Sequence, residues 1–210
     1  MPPRSIVLRA VAALALAVGA PAGAGCGDSR DDKPAGTTLT TSTADRGSAQ
    51  RVAAAQRAAQ AAPNDPDALA ALARGYVAHA YVVGNVTGNT LGPAGEAQLR
   101  KAEAAWDRYL ALDPRKPDVQ LATQMARAFS QVGLDEPPKA VRALEIAAQN
   151  SAPPNGSLYA QIAVLRYNQD QFRPGDVAAR RALELAPRDQ RTNLRRALRQ
   201  IRLRAKTQGP

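Results

Sequence analysis

One cysteine and one histidine, Cys26 and His79, are all that 210 residues offer for thiol or imidazole chemistry. A zinc site draws on about four N or S ligands, and a Cys–His nucleophile needs both groups at one point. No metal site, no cofactor and no disulfide within one chain are therefore expected. Asp135-Glu136 and the scattered glutamates fall at turn and helix-surface positions, with neither a convergent carboxylate pair nor a Ser–His pair, so the chain reads as a non-enzyme. Gly84, Gly88, Gly92 and Gly95 are closely spaced, but they lack the Gly-Lys-Ser/Thr ending and the preceding strand that a phosphate loop requires. What remains is arginine chemistry. Arg191, Arg195, Arg196, Arg199 and Arg202, continued by Arg204 and Lys206, form a basic run with no acid between them. Such a face attracts anionic headgroups or wall polymers at about 1 kcal/mol per basic residue. Arg74 and Arg127 are a second resource, because guanidinium groups grip carboxylates bidentately.

These side chains need helices to position them. After residue 50 a spacing of large and small residues recurs: Leu69, Leu72, Ala73, Tyr76, then Ala122, Met125, Ala126, Phe129, then Tyr159, Ile162, Ala163 with Arg166 in the last slot. A second pattern follows each time as Ala102, Trp106, Tyr109, Pro114, as Ala140, Leu144, Ala147, Pro153, and as Gly175, Ala179, Ala182, Pro187. This resembles the tetratricopeptide repeat, a helix–turn–helix unit of about 34 residues. The resemblance implies an all-α solenoid over residues 49–206, made of a half repeat, about three repeats and a capping helix. Asp65 is placed as an N-cap and Pro66 at the first helical position, opening a helix over 66–83. Residues 84–95 read as an insertion, with helical composition resuming at Glu96. The second repeat occupies 117–152 with a small insertion at Asp135 to Pro138, and the third 155–186. Beyond it, Leu194, Ala197, Leu198, Ile201 and Ala205 recur at helical steps in an end helix over about 189–206.

In that family the first helix of each pair lines a groove that takes extended peptides or helices. Carried over by position, the groove residues are Arg74, Val77 and Ala78, then Gln120, Thr123, Arg127, Ser130 and Gln131, then Val164, Tyr167 and Asn168. The Asn- and Lys-based carboxylate clamp of chaperone-binding members is not reproduced. The implied partner is a protein or peptide of unspecified identity.

The N-terminus reads as an address. Arg4 and Arg9 precede an apolar run from Ala10 to Ala20, then small residues and Cys26. The run falls short of the roughly 20 residues needed to span a bilayer. Ala24-Gly25-Cys26-Gly27 resembles a bacterial lipobox, which implies that Cys26 carries a diacylglyceryl group and begins the mature chain. Gly23, where such motifs usually place Leu, departs from the pattern, and cleavage after Ala22 or Ala24 is the alternative. The resulting organisation is a signal peptide over 1–25, a lipid-attachment site with a flexible linker over 26–48, and the helical domain. Formal charge is +10, and loss of Arg4 and Arg9 with the leader leaves +8. The expected protein is a scaffold held on the extracytoplasmic face of the cell membrane by its lipid, or else secreted. The alternative is an envelope spacer or adhesion protein working through the basic end helix. Nucleic acid is not an expected partner outside the cell. The membrane-extracted protein should have the mass of a chain starting at Cys26 plus diacylglyceryl, an increment abolished by Cys26→Ala; a mass starting at Met1, or after Ala22 or Ala24, contradicts lipidation.

Overall fold

The computed structural model describes residues 43–86 and 90–207; the leader, Cys26 and the linker up to residue 42 lie outside them. The described residues are all-α, with no strand. They run α1 (Thr43–Ala61), α2 (Pro66–Val83), α3 (Pro93–Ala111), α4 (Val119–Ala128), α5 (Pro137–Asn150), α6 (Gly156–Asn168), α7 (Phe172–Leu185) and α8 (Arg191–Thr207). Among the described residues no helix is long and apolar enough to cross a membrane.

Side chains that satisfy orphan backbone donors set the starts of three helices. Asp65 accepts from the N–H of Asp67, Asp118 from that of Leu121 and Asn155 from that of Ser157, each at 2.9 Å, opening α2, α4 and α6. Pro93 and Pro137 open α3 and α5, where the missing proline N–H costs nothing. After α2, α3 and α6 the chain turns at Asn85, Asp113 and Asp170 with positive φ, a conformation that Asn and Asp tolerate.

Three expected boundaries shift. α1 begins at Thr43 rather than near Ala49, because its first turns are held by polar contacts that apolar periodicity does not register. The Ser48 hydroxyl donates to the carbonyl of Asp45 at 2.8 Å, so the Nδ1–H of His79 donates to Ser48 Oγ, also at 2.8 Å. α3 begins at Pro93 rather than Glu96, and Pro137 and Pro138 belong to the first turn of α5 rather than to a loop. Of the 84–95 segment, Leu91 is buried, its N–H bonded to the Val132 carbonyl at 3.1 Å, while the Gly92 N–H reaches the Gly84 carbonyl at 2.6 Å.

Successive helices pack as antiparallel pairs. In α1–α2, Gln56 donates to the Tyr76 hydroxyl at 2.7 Å. At the α2–α3 corner the backbones nearly touch: a Cβ on Gly95 would stand 2.6 Å from Gly84 Cα and 2.7 Å from the Ala80 carbonyl oxygen. Gly175 likewise gives the Tyr167 ring its seat in α6–α7, since a Cβ there would lie 2.6 Å from the ring. Alternate helices run parallel. Arg74, midway along α2, pairs with Asp118 at the N-cap of α4, and further along both helices Arg127 lies over the Tyr81 ring. Between α3 and α5, Arg100 pairs with Glu136 and Lys139 with Glu103, each link spanning 36 residues. The core is dominated by Ala, with Leu, Trp106, Tyr109, Met125, Phe129 and Tyr167 filling the larger gaps.

The backbone of α4 approaches that of α2, whereas α6 approaches α5, α7 and α8 and brings no Cα within 8 Å of α4.

Candidate binding face on the first helices

α4 is amphipathic by construction. Leu121, Ala122, Met125, Ala126 and Ala128 are buried, leaving Gln120, Thr123 and Arg127 on the opposite, exposed side, with Gln131 exposed in the turn that follows. The Thr123 hydroxyl is spent on the Val119 carbonyl at 2.8 Å. Ser130 is half-buried, its carbonyl accepting from Gly133 and Asp135 in the turn toward α5. Beside this face runs the flank of α2 that carries Arg74, Ala78 and Tyr81, one helical turn apart.

The two arginines do not act as a free pair. Arg74 is neutralised by Asp118, the same carboxylate that caps α4. Arg127 is exposed, with its guanidinium carbon 5.1 Å from the Tyr81 ring centroid in a cation–π contact. Burial pushes the Tyr81 phenol above its ordinary value against the pull of the adjacent Arg127. The Gln124 carboxamide oxygen is buried and finds no hydrogen-bond partner among the described residues, while the buried Tyr81 hydroxyl has only the Arg127 guanidinium beside it. A buried polar atom left unpaired is costly, so Gln124 is the group on this face that a donor would satisfy.

Two expected groove residues belong elsewhere. Val77 and Tyr167 are only 6% and 2% exposed. Val77 points from α2 into the core, and Tyr167 packs on Gly175 with its hydroxyl donating to Asp176 at 2.9 Å. Burial, followed by Asp176, pushes the Tyr167 phenol up to about 12. Tyr167 takes the interior position that the repeat spacing assigns to Arg166; the latter pairs instead with Glu145 at 2.7 Å. Asn168 is exposed and Val164 packs partly on the core, but both are on α6, away from α4. Spacing missed Tyr81, Gln124 and Asp118; Tyr81 stands seven residues after Arg74 and Gln124 four after Gln120, so helical geometry places them on or beside the same faces.

The basic run of α8 also divides. Arg202 grips Asp176 through two bonds of 2.8 and 3.0 Å, and Arg191 donates to the carbonyls of Ala186 and Glu184 at the end of α7. These two dock α8. Arg195, Arg196 and Arg199 are exposed and make no ion pair among the described residues. A third concavity, of about 350 Å³, lies between α3 and α5 with Trp106, Phe129, Asp107, Lys139 and Arg142 on its walls; burial and then Glu103 raise the Asp107 carboxyl. Among the described residues no group of His, Cys, Asp or Glu is placed to hold a metal ion.

No protein-family model matches this chain, and no curated protein matches it.

Hydrogen bonding from Arg202, opposed by partial burial and helped by the Tyr167 hydroxyl, holds the Asp176 carboxyl below its ordinary value. A carboxylate whose pKa is depressed by folding stabilises above its unfolded pKa and loses that contribution as pH falls through the folded one. The stability advantage of the wild type over Asp176→Asn, measured by urea denaturation, should be greatest near pH 6–7 and shrink below about pH 4; a difference independent of pH contradicts the pairing.

Proposed function

We propose that the helical hairpins are tetratricopeptide-type repeats closed by α8 as a cap, and that the chain is an exported, lipid-anchored, non-catalytic scaffold. Its task is to hold an extended segment of another protein against the face shared by α2 and α4. The observation that carries this reading is the coincidence of an unpartnered Gln124 oxygen with the Tyr81–Arg127 stack, whose arginine is exposed. A carboxamide oxygen accepts a peptide N–H; a guanidinium donates to a peptide carbonyl or a terminal carboxylate. Gln120 on α4 and Gln131 in the turn after it extend the same chemistry. The parallel run of α2 with α4 and the 36-residue links between α3 and α5 support the repeat reading. The lipobox-like Ala24-Gly25-Cys26 supports the anchor, and with it a place on the outer face of the cell membrane or, without lipid, in the medium.

Peptides selected from a random display library on the full chain provide the test. Arg127→Ala and Gln124→Leu should each weaken a selected peptide at least about tenfold, since hydrogen bonds to charged or buried groups are worth about 1.5–3 kcal/mol. Binding should persist in about 0.5 M NaCl, where exposed charge attraction is screened. Peptides indifferent to both substitutions, or released wholly by salt, contradict the proposal.

A further inference from the structure

The outer side of the α7–α8 hairpin is a surface that the peptide-binding face does not use. The two helices run antiparallel: Lys206 lies over the Phe172 ring, Arg202 grips Asp176, and Arg191 reaches the carbonyl of Glu184. With the pairs fixed, helical register places Arg173, Val177 and Arg180 of α7 beside Arg196, Arg199 and Leu203 of α8 on one exposed side. The same pairing puts Val177 and Leu203 at nearly the same level. They are 57% and 54% exposed, two of four large apolar side chains that the described residues leave in solvent.

Charge on this side is predominantly positive. α8 carries seven basic residues and no acidic one. The acids of α7 are already matched, Asp176 by Arg202 and Glu184 by Arg181 at 3.0 Å. Arg173, Arg180, Arg196 and Arg199 make no ion pair among the described residues. A flat cationic field suits any polyanion, but two protruding aliphatic side chains ringed by guanidinium groups suit one that also has an apolar layer beneath its charges. We infer that the α7–α8 face docks on an anionic lipid bilayer, with Arg173, Arg180, Arg196 and Arg199 on the phosphates and Val177 and Leu203 entering the headgroup–acyl boundary. Contact of this kind is peripheral, since no described helix is long and apolar enough to cross the bilayer.

The full chain carrying Cys26→Ala, which removes any acyl anchor, is the protein to test, sedimented with vesicles of phosphatidylcholine alone or with 30% phosphatidylglycerol. The anionic vesicles should bind it more tightly, and Arg196→Glu with Arg199→Glu should reduce that binding at least about tenfold at low salt. Circular dichroism checks that this variant, altered only at exposed positions, keeps its helices. Leu203→Trp adds a readout of insertion: its emission should shift to the blue on anionic vesicles, against an unmoved background from Trp106, which is buried. Equal binding to both vesicle types, undiminished binding by the charge-reversed variant, or capture of soluble polyphosphate with no blue shift on vesicles would each overturn the inference.

Discussion

Close approach of helices across small side chains is the constraint on which this structure depends. Half of the buried hydrophobic positions are alanine, and an alanine methyl reaches a neighbour only when two backbones nearly meet. Gly84 and Gly95 carry this furthest at the α2–α3 corner, and Gly175 repeats it under Tyr167. Dispersion and apolar burial from so many small groups accumulate only if every hairpin closes, so each antiparallel pair is an all-or-none contact rather than a sum of separable ones.

That closure determines which surfaces are left for binding. With the apolar side of α4 seated in the core, Gln120 and Arg127 are left exposed while Gln124 is half-buried. Asp118 joins the two levels, capping α4 with one oxygen while the other neutralises Arg74; its own N–H donates to the Tyr109 hydroxyl at 2.8 Å. On the opposite helices, Arg100, Glu103, Glu136 and Lys139 interlock, but they are exposed cations against half-buried carboxylates and contribute modestly to stability. Their use is register: they tie the start of α5 to α3.

Much of this is legible in the sequence, and the parts that are not have identifiable causes. α2 can be read to the residue because Asp65-Pro66 and Gly84 bracket it with local chemistry. α1 and α3 begin earlier than their apolar residues, held by Ser48 with His79 and by Gly92-Pro93, and neither signal is periodic. The exchange of Arg166 for Tyr167 in the interior follows from Gly175, a residue eight positions on in another helix that spacing within α6 cannot register. The wider backbone spacing between α6 and α4 than between α4 and α2 is a tertiary outcome that repeat position does not register. Gln124 carries no mark in the sequence for a related reason: what distinguishes it is a missing partner, and partners exist only in three dimensions.

Two helical glycines test the central constraint by the sign of one measurement, thermal unfolding of Gly75→Ala and Gly95→Ala. Glycine inside a helix is ordinarily worse than alanine by about 0.5–1 kcal/mol. At Gly75 a Cβ would make ordinary contact, 3.7 Å from the Val52 side chain, so alanine should raise the melting temperature. At Gly95 it would meet the backbone of Gly84 and Ala80, so alanine should lower it, by about 1–3 kcal/mol of stability. If both substitutions stabilise the protein, the helices of the α2–α3 hairpin do not approach as closely as described and the account of the fold fails at its base.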